Sequence, residues 1–408
     1  MPRCPLPLRM FPASLALLLA CGDAQERGAE GPAGAAPSDD TGAPPADGCR
    51  ATPRPADADR AVLTSLPYTD DLDFSPDWAV LRLDAGGVLG DTDARIPLGT
   101  ARGGGMAFTP DGSIGVATLD DGTLGVASVS GDGTAAVVQA GFDPGTYVTS
   151  LAMDPTGEAV WLVNPNWADS DGGLYRAGID CETGEVGPAS LVIAARNPSA
   201  IVLPRDSRSR GVLVGGEIPG ATPGADLALL DLESGAVLSS SDAFGDDDAI
   251  VSRAAIAASG WILVGDHSEF SGQPNRVAAV RIDGDSLGAT LLVDDVYDPV
   301  SIVPNPLGPG ALVPSGYGDR YWLLGEAPDG ARPWFLAGQV QEDGQTGVQL
   351  PDGAVTITRG PLAGHVLSIE VGGVRQLDLD AAGGAVLRGV LDFGSGYSGI
   401  PGAIGVQP

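Results

Sequence analysis

The amino-acid sequence predicts an all-β protein, a β-propeller of seven four-stranded blades. Three observations lead to this fold class. Gly (61) and Pro (34) make up about 23 % of the 408 residues, roughly twice their usual share, which excludes long helices. Apolar strands recur at intervals of about fifty residues. The apolar fraction of 43 % is too high for a disordered chain.

One recurring unit is a strand that ends in a turn with an acidic residue and glycine. LDAGGV at 83–88 and LDLESGAV at 230–237 are clear copies. The markers of all the copies, two of them looser, are Asp84, Ser130, Asp180, Asp231, Asp283, Glu326 and Asp380. Each marker belongs to one blade, so the sequence predicts seven blades, with eight as the alternative.

A second unit is an apolar strand followed by a proline turn. It occurs as MAFTPDG at 106–112 and LAMDPTG at 151–157, with weaker copies at 201–204 and 302–304. Residues 401–408 look like the start of such a blade with no blade after it, whereas the first repeat begins with its later strands. We therefore expect the C-terminal strand to complete the first blade and close the ring. The alternative is an inner strand at 72–77.

These motifs resemble a known repeat. NPSAIVLP at 197–204, the Pro-Asp-Gly turn at 110–112 and the Asp-x-x-x-Gly hairpins are similar to YVTN-type propeller repeats, which are related to lactonase-like and quinoprotein-like propellers. The resemblance covers most of 61–408 and implies the fold.

The N-terminus predicts export. Arg3 and Arg9 precede an apolar run that is too short to span a bilayer, so 1–20 is interpreted as a signal peptide. LLAC at 18–21 resembles the lipobox of bacterial lipoproteins. That resemblance implies cleavage after Ala20, acyl chains on Cys21, and a membrane-anchored lipoprotein of the cell envelope, such as the outer membrane, on the periplasmic or cell-surface side. The alternative is an ordinary secretory signal.

The next segment, 21–60, is predicted to be the lipidated cysteine and a disordered acidic Gly/Ala/Pro tether, because it has almost nothing to bury. The propeller then occupies 61–408. In an exported chain the two remaining cysteines, Cys49 and Cys181, can form a disulfide that pins the tether to the ring. Two free thiols are the alternative.

The charge of the chain limits the classes of partner it can bind. The chain carries 53 acidic side chains against 22 basic ones, all of them Arg, and a net charge of −31. Nucleic acid is excluded as a partner because phosphate binding needs a basic surface. A cation or a basic partner surface fits better.

Long loops are predicted at 164–173, 215–226 and 266–276, on the face that also carries the connections between blades. Aromatic and Arg side chains are common binding anchors, and carboxylates can hold cations. The candidate binding residues on this face are Asn164, Asn166, Trp167, Asp169, Asp171, Asp266, His267, Glu269, Arg276, Tyr317, Arg320 and Tyr321.

No catalytic pattern is complete. The chain has two histidines, which excludes multi-histidine metal centres. His365 is expected to pack in a strand, whereas His267 beside Asp266 could act as a general base. The DSDG segment at 169–172 has part of a calcium loop but lacks the closing Glu. We therefore predict no cofactor, with calcium as the metal to consider.

The leading hypothesis is a lipid-anchored cell-envelope β-propeller, expected to be a monomer, that acts as a binding or scaffold protein through its long-loop face. Its partner would be an envelope protein or a surface glycan. The alternative is a hydrolase or lactonase-like enzyme with a metal in the central channel, held by side chains such as Asp143, Asn197 and Asp298.

Overall fold

The computed structural model describes residues 54–130, 133–166, 172–204, 209–245, 249–267, 276–316, 320–327, 334–341, 349–394 and 396–408. These residues form seven four-stranded antiparallel sheets arranged as a seven-bladed β-propeller, with almost no helix. The prediction of seven blades is confirmed. Among the described residues, no helix has both the length and the apolar character that crossing a membrane requires.

Blade 1 contains β1 (Arg60–Ser65), β2 (Asp77–Leu83) and β3 (Leu89–Pro97). Blade 2 contains β4 (Met106–Phe108), β5 (Ile114–Thr118), β6 (Leu124–Val129) and β7 (Ala135–Phe142). Blade 3 contains β8 (Ser150–Met153), β9 (Ala159–Asn164), β10 (Gly173–Ile179) and β11 (Val186–Ala194). Blade 4 contains β12 (Ala200–Val202), β13 (Arg210–Val214), β14 (Leu227–Asp231) and β15 (Val237–Ser241).

Blade 5 contains β16 (Val251–Ile256), β17 (Trp261–Asp266), β18 (Arg276–Asp283) and β19 (Ser286–Asp294). Blade 6 contains β20 (Val303–Pro304), β21 (Ala311–Ser315), β22 (Arg320–Glu326) and β23 (Trp334–Gln341). Blade 7 contains β24 (Gln349–Thr356), β25 (His365–Val371), β26 (Gly373–Leu379) and β27 (Ala385–Asp392). The last strand, β28 (Ile404–Val406), returns to blade 1.

The C-terminal strand closes the ring as the sequence predicts. β28 pairs antiparallel with β1, placing Val406 opposite Val62, and the sheet order of blade 1 is β28-β1-β2-β3. The alternative inner strand at 72–77 is wrong, because that region contributes only an isolated bridge between Tyr68 and Phe74 before β2 begins. The innermost position of blade 1 is occupied by β28, which comes from the other end of the chain.

The acidic turns occupy equivalent positions in every blade. Each marker residue lies at the junction between the third and fourth strands of its blade. In the clear copies the acidic side chain holds the turn: Asp84 Oδ1 accepts hydrogen bonds of 2.9 Å from the amides of Gly86 and Val88. Asp231 Oδ1 likewise accepts from the Ser234 amide at 2.8 Å. Local side-chain-to-backbone bonding therefore explains the repeat.

The hydrophobic core lies between neighbouring blades. β5 and β9 are buried at every residue, because each blade is covered on both faces by its neighbours. Ile114 of blade 2 packs in one cluster with Val160 of blade 3. Val62 of blade 1 and Leu367 of blade 7 share another cluster across the point of closure. This packing holds the loops at both ends of the blades in fixed positions.

Candidate functional site

The two faces of the ring carry different connections. We define the long-loop face as the face with the second-to-third-strand loops and the blade connections. On this face β9 is followed by β10, β13 by β14 and β17 by β18, and the described residues between these strands are 165–166, 172, 215–226 and 267. The opposite, short-turn face carries turns such as 109–113, 154–158 and 232–236. Inner strands lead from one face to the other along the central channel.

Four of the predicted binding residues are buried: Asn164, Asp266, Arg276 and Tyr321. Asp266 and Arg276 face each other across β17 and β18, with Arg276 Nη2 3.0 Å from Asp266 Oδ2. The Arg276 guanidinium also lies 5.0 Å from the centre of the Phe244 ring. Asp266 Oδ1 accepts a hydrogen bond of 3.1 Å from the Ile250 amide. This pair supports the base of the long loop rather than a surface for a ligand.

Asn164 and Tyr321 also support the fold. Asn164 Nδ2 donates to Thr146 Oγ1 at 2.9 Å, and its Oδ1 accepts from the Asn166 amide at 2.8 Å. The Tyr321 hydroxyl donates to Glu370 of blade 7. These side chains stabilise the ends of strands where long loops begin.

Partly exposed positions on this face are Asn166, His267 and Arg320. The Arg320 guanidinium lies 5.3 Å from the centre of the Trp322 ring. The remaining predicted residues, Trp167, Asp169, Asp171, Glu269 and Tyr317, lie outside the described residues, as do most of the candidate calcium loop and Cys21 and Cys49.

His267 lies next to an acidic residue of the following blade connection. Its Nδ1 is 3.1 Å from Oδ1 of Asp298, which is completely buried. Among the described residues, neither carboxylate oxygen of Asp298 is in a hydrogen bond of normal geometry. Burying a carboxylate with so few hydrogen bonds lowers the stability of the fold. Such a group is therefore typical of a functional site.

The backbone of Asp298 is strained. Its φ is +49° and Pro299 follows it, although a residue before proline favours extended backbone. The neighbouring Gly316 leaves room for the carboxylate, since a Cβ there would lie 2.6 Å from Asp298 Oδ2. The fold thus holds the backbone of Asp298 in a conformation that an unfolded chain avoids, and this positions the carboxylate.

A second carboxylate faces the same region. Asp352 belongs to β24, the inner strand of blade 7, at a β-bulge between Pro351 and Gly353. A bulge redirects a side chain, and here it gives Asp352 access to solvent in the channel. Although the Asp352 side chain reaches solvent, the many protein atoms around it raise its pKa by desolvation, and the Asp298 carboxylate raises that pKa further. Arg253 and His267 lower this pKa in part.

Arg253 completes the group. It belongs to β16, the inner strand of blade 5, and its Nε donates a hydrogen bond of 2.7 Å to the carbonyl of Val300. We call His267, Asp298, Asp352 and Arg253 the channel-mouth cluster. It combines two carboxylates, one imidazole and one guanidinium near the axis, which suits binding of a cationic group and also proton transfer.

The sequence singles out His267 for binding and Asp298 for the enzyme alternative, but misses Asp352 as a member of the site. A usable signal was present: PDG at 351–353 interrupts an inner strand, and Pro and Gly inside a strand indicate a bulge. Within the described ranges, no group of three or more His, Cys, Asp or Glu side chains is arranged to hold a metal ion. Asp143 and Asn197 are exposed in separate blade connections.

On the short-turn face, Cys181 is disulfide-bonded. The three other cysteines of the chain precede the described residues, so pairing with Cys49 stays a prediction. The first described residues also lie on this face, where Asp59 Oδ1 accepts a hydrogen bond of 3.0 Å from the amide of Ala85 in an acidic turn. The chain therefore enters the ring opposite the channel-mouth cluster.

These features define the class of protein as a closed seven-bladed β-propeller with a titratable cluster at its channel mouth. No family model matches the chain. No curated protein matches it either.

Solved structures share the fold. A proposed 6-phosphogluconolactonase from Bacteroides uniformis is 13% identical with a TM-score of 0.58, over 85% of this chain and 99% of that one. A second, from Bacteroides fragilis, is 13% identical with a TM-score of 0.56, over 87% and 99%. Sqt1 from Chaetomium thermophilum, bound to the N-terminus of the ribosomal protein L10, is 15% identical with a TM-score of 0.52, over 83% and 88%. At these identities the likeness shows the fold alone, a β-propeller.

Proposed function

We propose that this propeller is a lipid-anchored binding protein of the cell envelope that takes a basic segment of a partner protein at the mouth of its channel. The observation that carries the proposal is the pair of carboxylates Asp298 and Asp352. The Asp298 carboxylate is buried with little hydrogen bonding, and the pKa of Asp352 is raised. An arginine or lysine side chain from a partner would supply the positive charge that stabilises both.

The overall charge supports a basic partner. A net charge of −31 attracts basic surfaces and increases their rate of encounter. A protein of the same fold, Sqt1, is bound to the N-terminus of another protein, so a propeller can receive a terminal segment.

The point of chain entry supports the anchoring. If Cys21 is acylated, the tether reaches the ring on the short-turn face, where Asp59 contacts the Ala85 turn. The long-loop face would then point away from the membrane and towards a partner. Metabolic labelling with palmitate tests this: the label should depend on Cys21, and Cys21→Ser should move the protein to the soluble fraction. An unlabelled wild-type chain in the membrane would contradict it.

Binding is tested with a tetra-arginine peptide and the full chain in detergent, by calorimetry at low salt. We expect binding that weakens with salt, and release of protons on binding as Asp352 becomes charged. Asp352→Asn should weaken binding by about tenfold, as expected for one charge-assisted hydrogen bond. Asp57→Asn is the matched control, because it removes the same charge at an exposed position on the other face. Equal affinity of the two variants would contradict the site.

A second candidate is a hydrolase of the lactonase type. It is favoured by the contact between His267 and Asp298 and by the raised pKa of Asp352, which together offer a base and an acid near one channel. Hydrolysis of D-glucono-δ-lactone above the rate in buffer, lost in His267→Gln, would support it. Elemental analysis tests the metal-dependent version of this hypothesis. Stoichiometric calcium or zinc in the purified protein would support it, and the absence of both metals would contradict it.

A further inference from the structure

A cavity of about 330 Å³ lies on the short-turn face, where blade 7 meets blade 1. One wall is the 84–88 turn of blade 1, and the other is the loop 357–364 between β24 and β25. Its size falls in the range of small-molecule sites, about 300–1,000 Å³. It is separate from the channel-mouth cluster, which lies on the other face.

Two buried polar side chains line this cavity and lack partners in it. His365 is 4% exposed and Gln376 is 8% exposed. Among the described residues, neither Nε2 of His365 nor Oε1 of Gln376 has a hydrogen-bond partner. Most buried polar atoms are paired, because an unpaired one costs about 1–3 kcal/mol. Both atoms belong to side chains that line one cavity, so a ligand in this cavity is the candidate partner for both.

The tautomer of His365 is set by its neighbour. Nδ1 lies 2.7 Å from Oδ1 of Asp378, its direct cross-strand partner in β26. Burial alone would raise the pKa of Asp378, but hydrogen bonds from His365 and Arg388 outweigh it and lower that pKa below its usual value. The carboxylate is therefore charged at neutral pH and accepts the Nδ1 proton. In the neutral ring this tautomer leaves a lone pair on Nε2, which makes Nε2 an acceptor.

The backbone of His365 is held in place by two hydrogen bonds. The His365 amide donates to the carbonyl of Leu362 at 2.9 Å, and its carbonyl accepts from the Ile357 amide at 2.9 Å. The opposite wall stays open because Gly87 has no side chain: with φ at +84°, a Cβ there would lie 3.3 Å from Leu362 Cδ2 and 3.8 Å from His365 Cε1. The cavity is thus built before any ligand arrives.

The local charge and polarity define the ligand class. The Asp378 carboxylate contacts both the Arg388 guanidinium and the His365 ring, so its negative charge is compensated within the cavity wall. Leu362 and Leu379 add apolar surface. Two acceptors beside an apolar wall suit a molecule with two hydroxyl donors and a C–H face.

We propose that this cavity binds an uncharged hydroxylated molecule of monosaccharide size, with one hydroxyl donating to His365 Nε2 and another to Gln376 Oε1. The inference is independent of the proposed partner at the channel mouth, because the two sites lie on opposite faces. A sugar bound here would contact both blade 7 and blade 1.

The test uses the two histidines as reporters. The full chain in detergent is labelled with ¹⁵N at histidine, which gives two sets of ring signals because the chain has only His267 and His365. Signals are assigned with His365→Gln. Glucose, galactose, mannose and N-acetylglucosamine are then added separately, up to about 50 mM, where a ligand with millimolar affinity saturates its site. We expect at least one sugar to move the His365 Nε2 signal and leave the His267 signals in place.

The variant Gln376→Leu removes one acceptor and keeps the volume. It should weaken the binding of that sugar by about tenfold, the effect of one hydrogen bond, whereas Gln339→Leu at an exposed position should not. The proposal is overturned if none of the four sugars moves the His365 signal, or if a sugar binds the Gln376→Leu chain as tightly as the wild type. Whether a sugar moves the His365 signal is measured on the wild-type chain, so this outcome is decided even if the Gln376→Leu variant does not fold.

Discussion

Gln407 and Ala61 lie 346 residues apart in the chain, yet the side-chain Oε1 of Gln407 accepts a hydrogen bond of 2.8 Å from the amide of Ala61. Gln407 Nε2 donates to the carbonyl of Gly112 in blade 2 at 2.6 Å. One fully buried amide side chain therefore joins the last strand to the first blade and to its neighbour.

Replacing this side chain should loosen the closure. Gln407→Ala leaves the Ala61 amide and the Gly112 carbonyl without partners, so we expect a loss of about 2–3 kcal/mol in the free energy of unfolding. Urea denaturation measures it. Gln339→Ala is the control at an exposed position, where we expect a change within about 0.5 kcal/mol. Equal stability of both variants would show that β28 is held by strand pairing alone.

The buried pair of Asp266 and Arg276 should be important for stability. Asp266→Ala removes the carboxylate that faces a guanidinium only 8% exposed, so we expect a loss of about 3–5 kcal/mol. The control is Arg196→Ala, whose partner Glu217 lies 3.6 Å away at the surface and should contribute less than about 1 kcal/mol. Thermal and urea unfolding of the two variants distinguish a structural pair from a surface pair.

Tyr321 should act in the fold rather than in binding. Tyr321→Phe removes the hydrogen bond to Glu370, which keeps its contact of 2.8 Å with Arg375 Nε. We expect a loss of about 1.5–3 kcal/mol, typical of a hydrogen bond to a charged group. The affinity for tetra-arginine at the channel mouth should stay the same. Weaker peptide binding at unchanged stability would instead restore Tyr321 as a binding residue.

The raised pKa of Asp352 predicts a pH-dependent stability difference. Below the pKa of the unfolded chain, near 3.8, both states hold the proton and Asp352 contributes nothing. Above it, the unfolded state loses the proton while the folded state keeps it, so stability falls as the pH rises. Asp352→Asn removes this effect and should be more stable than the wild type at neutral pH, with the gain shrinking towards pH 3 (about the point where both states are protonated). Urea midpoints across pH 3–7 measure the gain, and a constant difference would contradict the prediction.

The disulfide partner of Cys181 can be mapped directly. Mass spectrometry of peptides from the non-reduced protein should find Cys181 linked to Cys49. Closing a loop of more than a hundred residues could stabilise the fold by up to about 4–5 kcal/mol if the bond is unstrained. A Cys181 thiol that reacts with alkylating reagents in the non-reduced protein would contradict the pairing.

The sequence was informative where the structure depends on local chemistry. Asp84 and Asp231 hold their own turns, so a short motif was enough to locate all seven blades. The closure was also predictable, since 401–408 has the pattern of an inner strand with no blade of its own.

Register and burial were less predictable. Arg320 and Tyr321 are adjacent in β22, and the alternation along a strand points one to the surface and the other into the core. Which of them points inward depends on pairing with β21, which a single sequence does not fix. The contact between His365 and Asp378 is equally hard to predict, because it depends on the register of β25 and β26. Asp352 reaches the channel only because β24 contains a bulge.

The pairing of β28 with β1 also affects how the protein is made. β1 is synthesised before the other described strands, but the neighbour on its inner side, β28, is synthesised after all of them. Blade 1 begins first and is finished last, and during that interval the amides and carbonyls on one side of β1 have no strand partner. A chaperone that protects this side would have to stay bound until biosynthesis of the ring is complete.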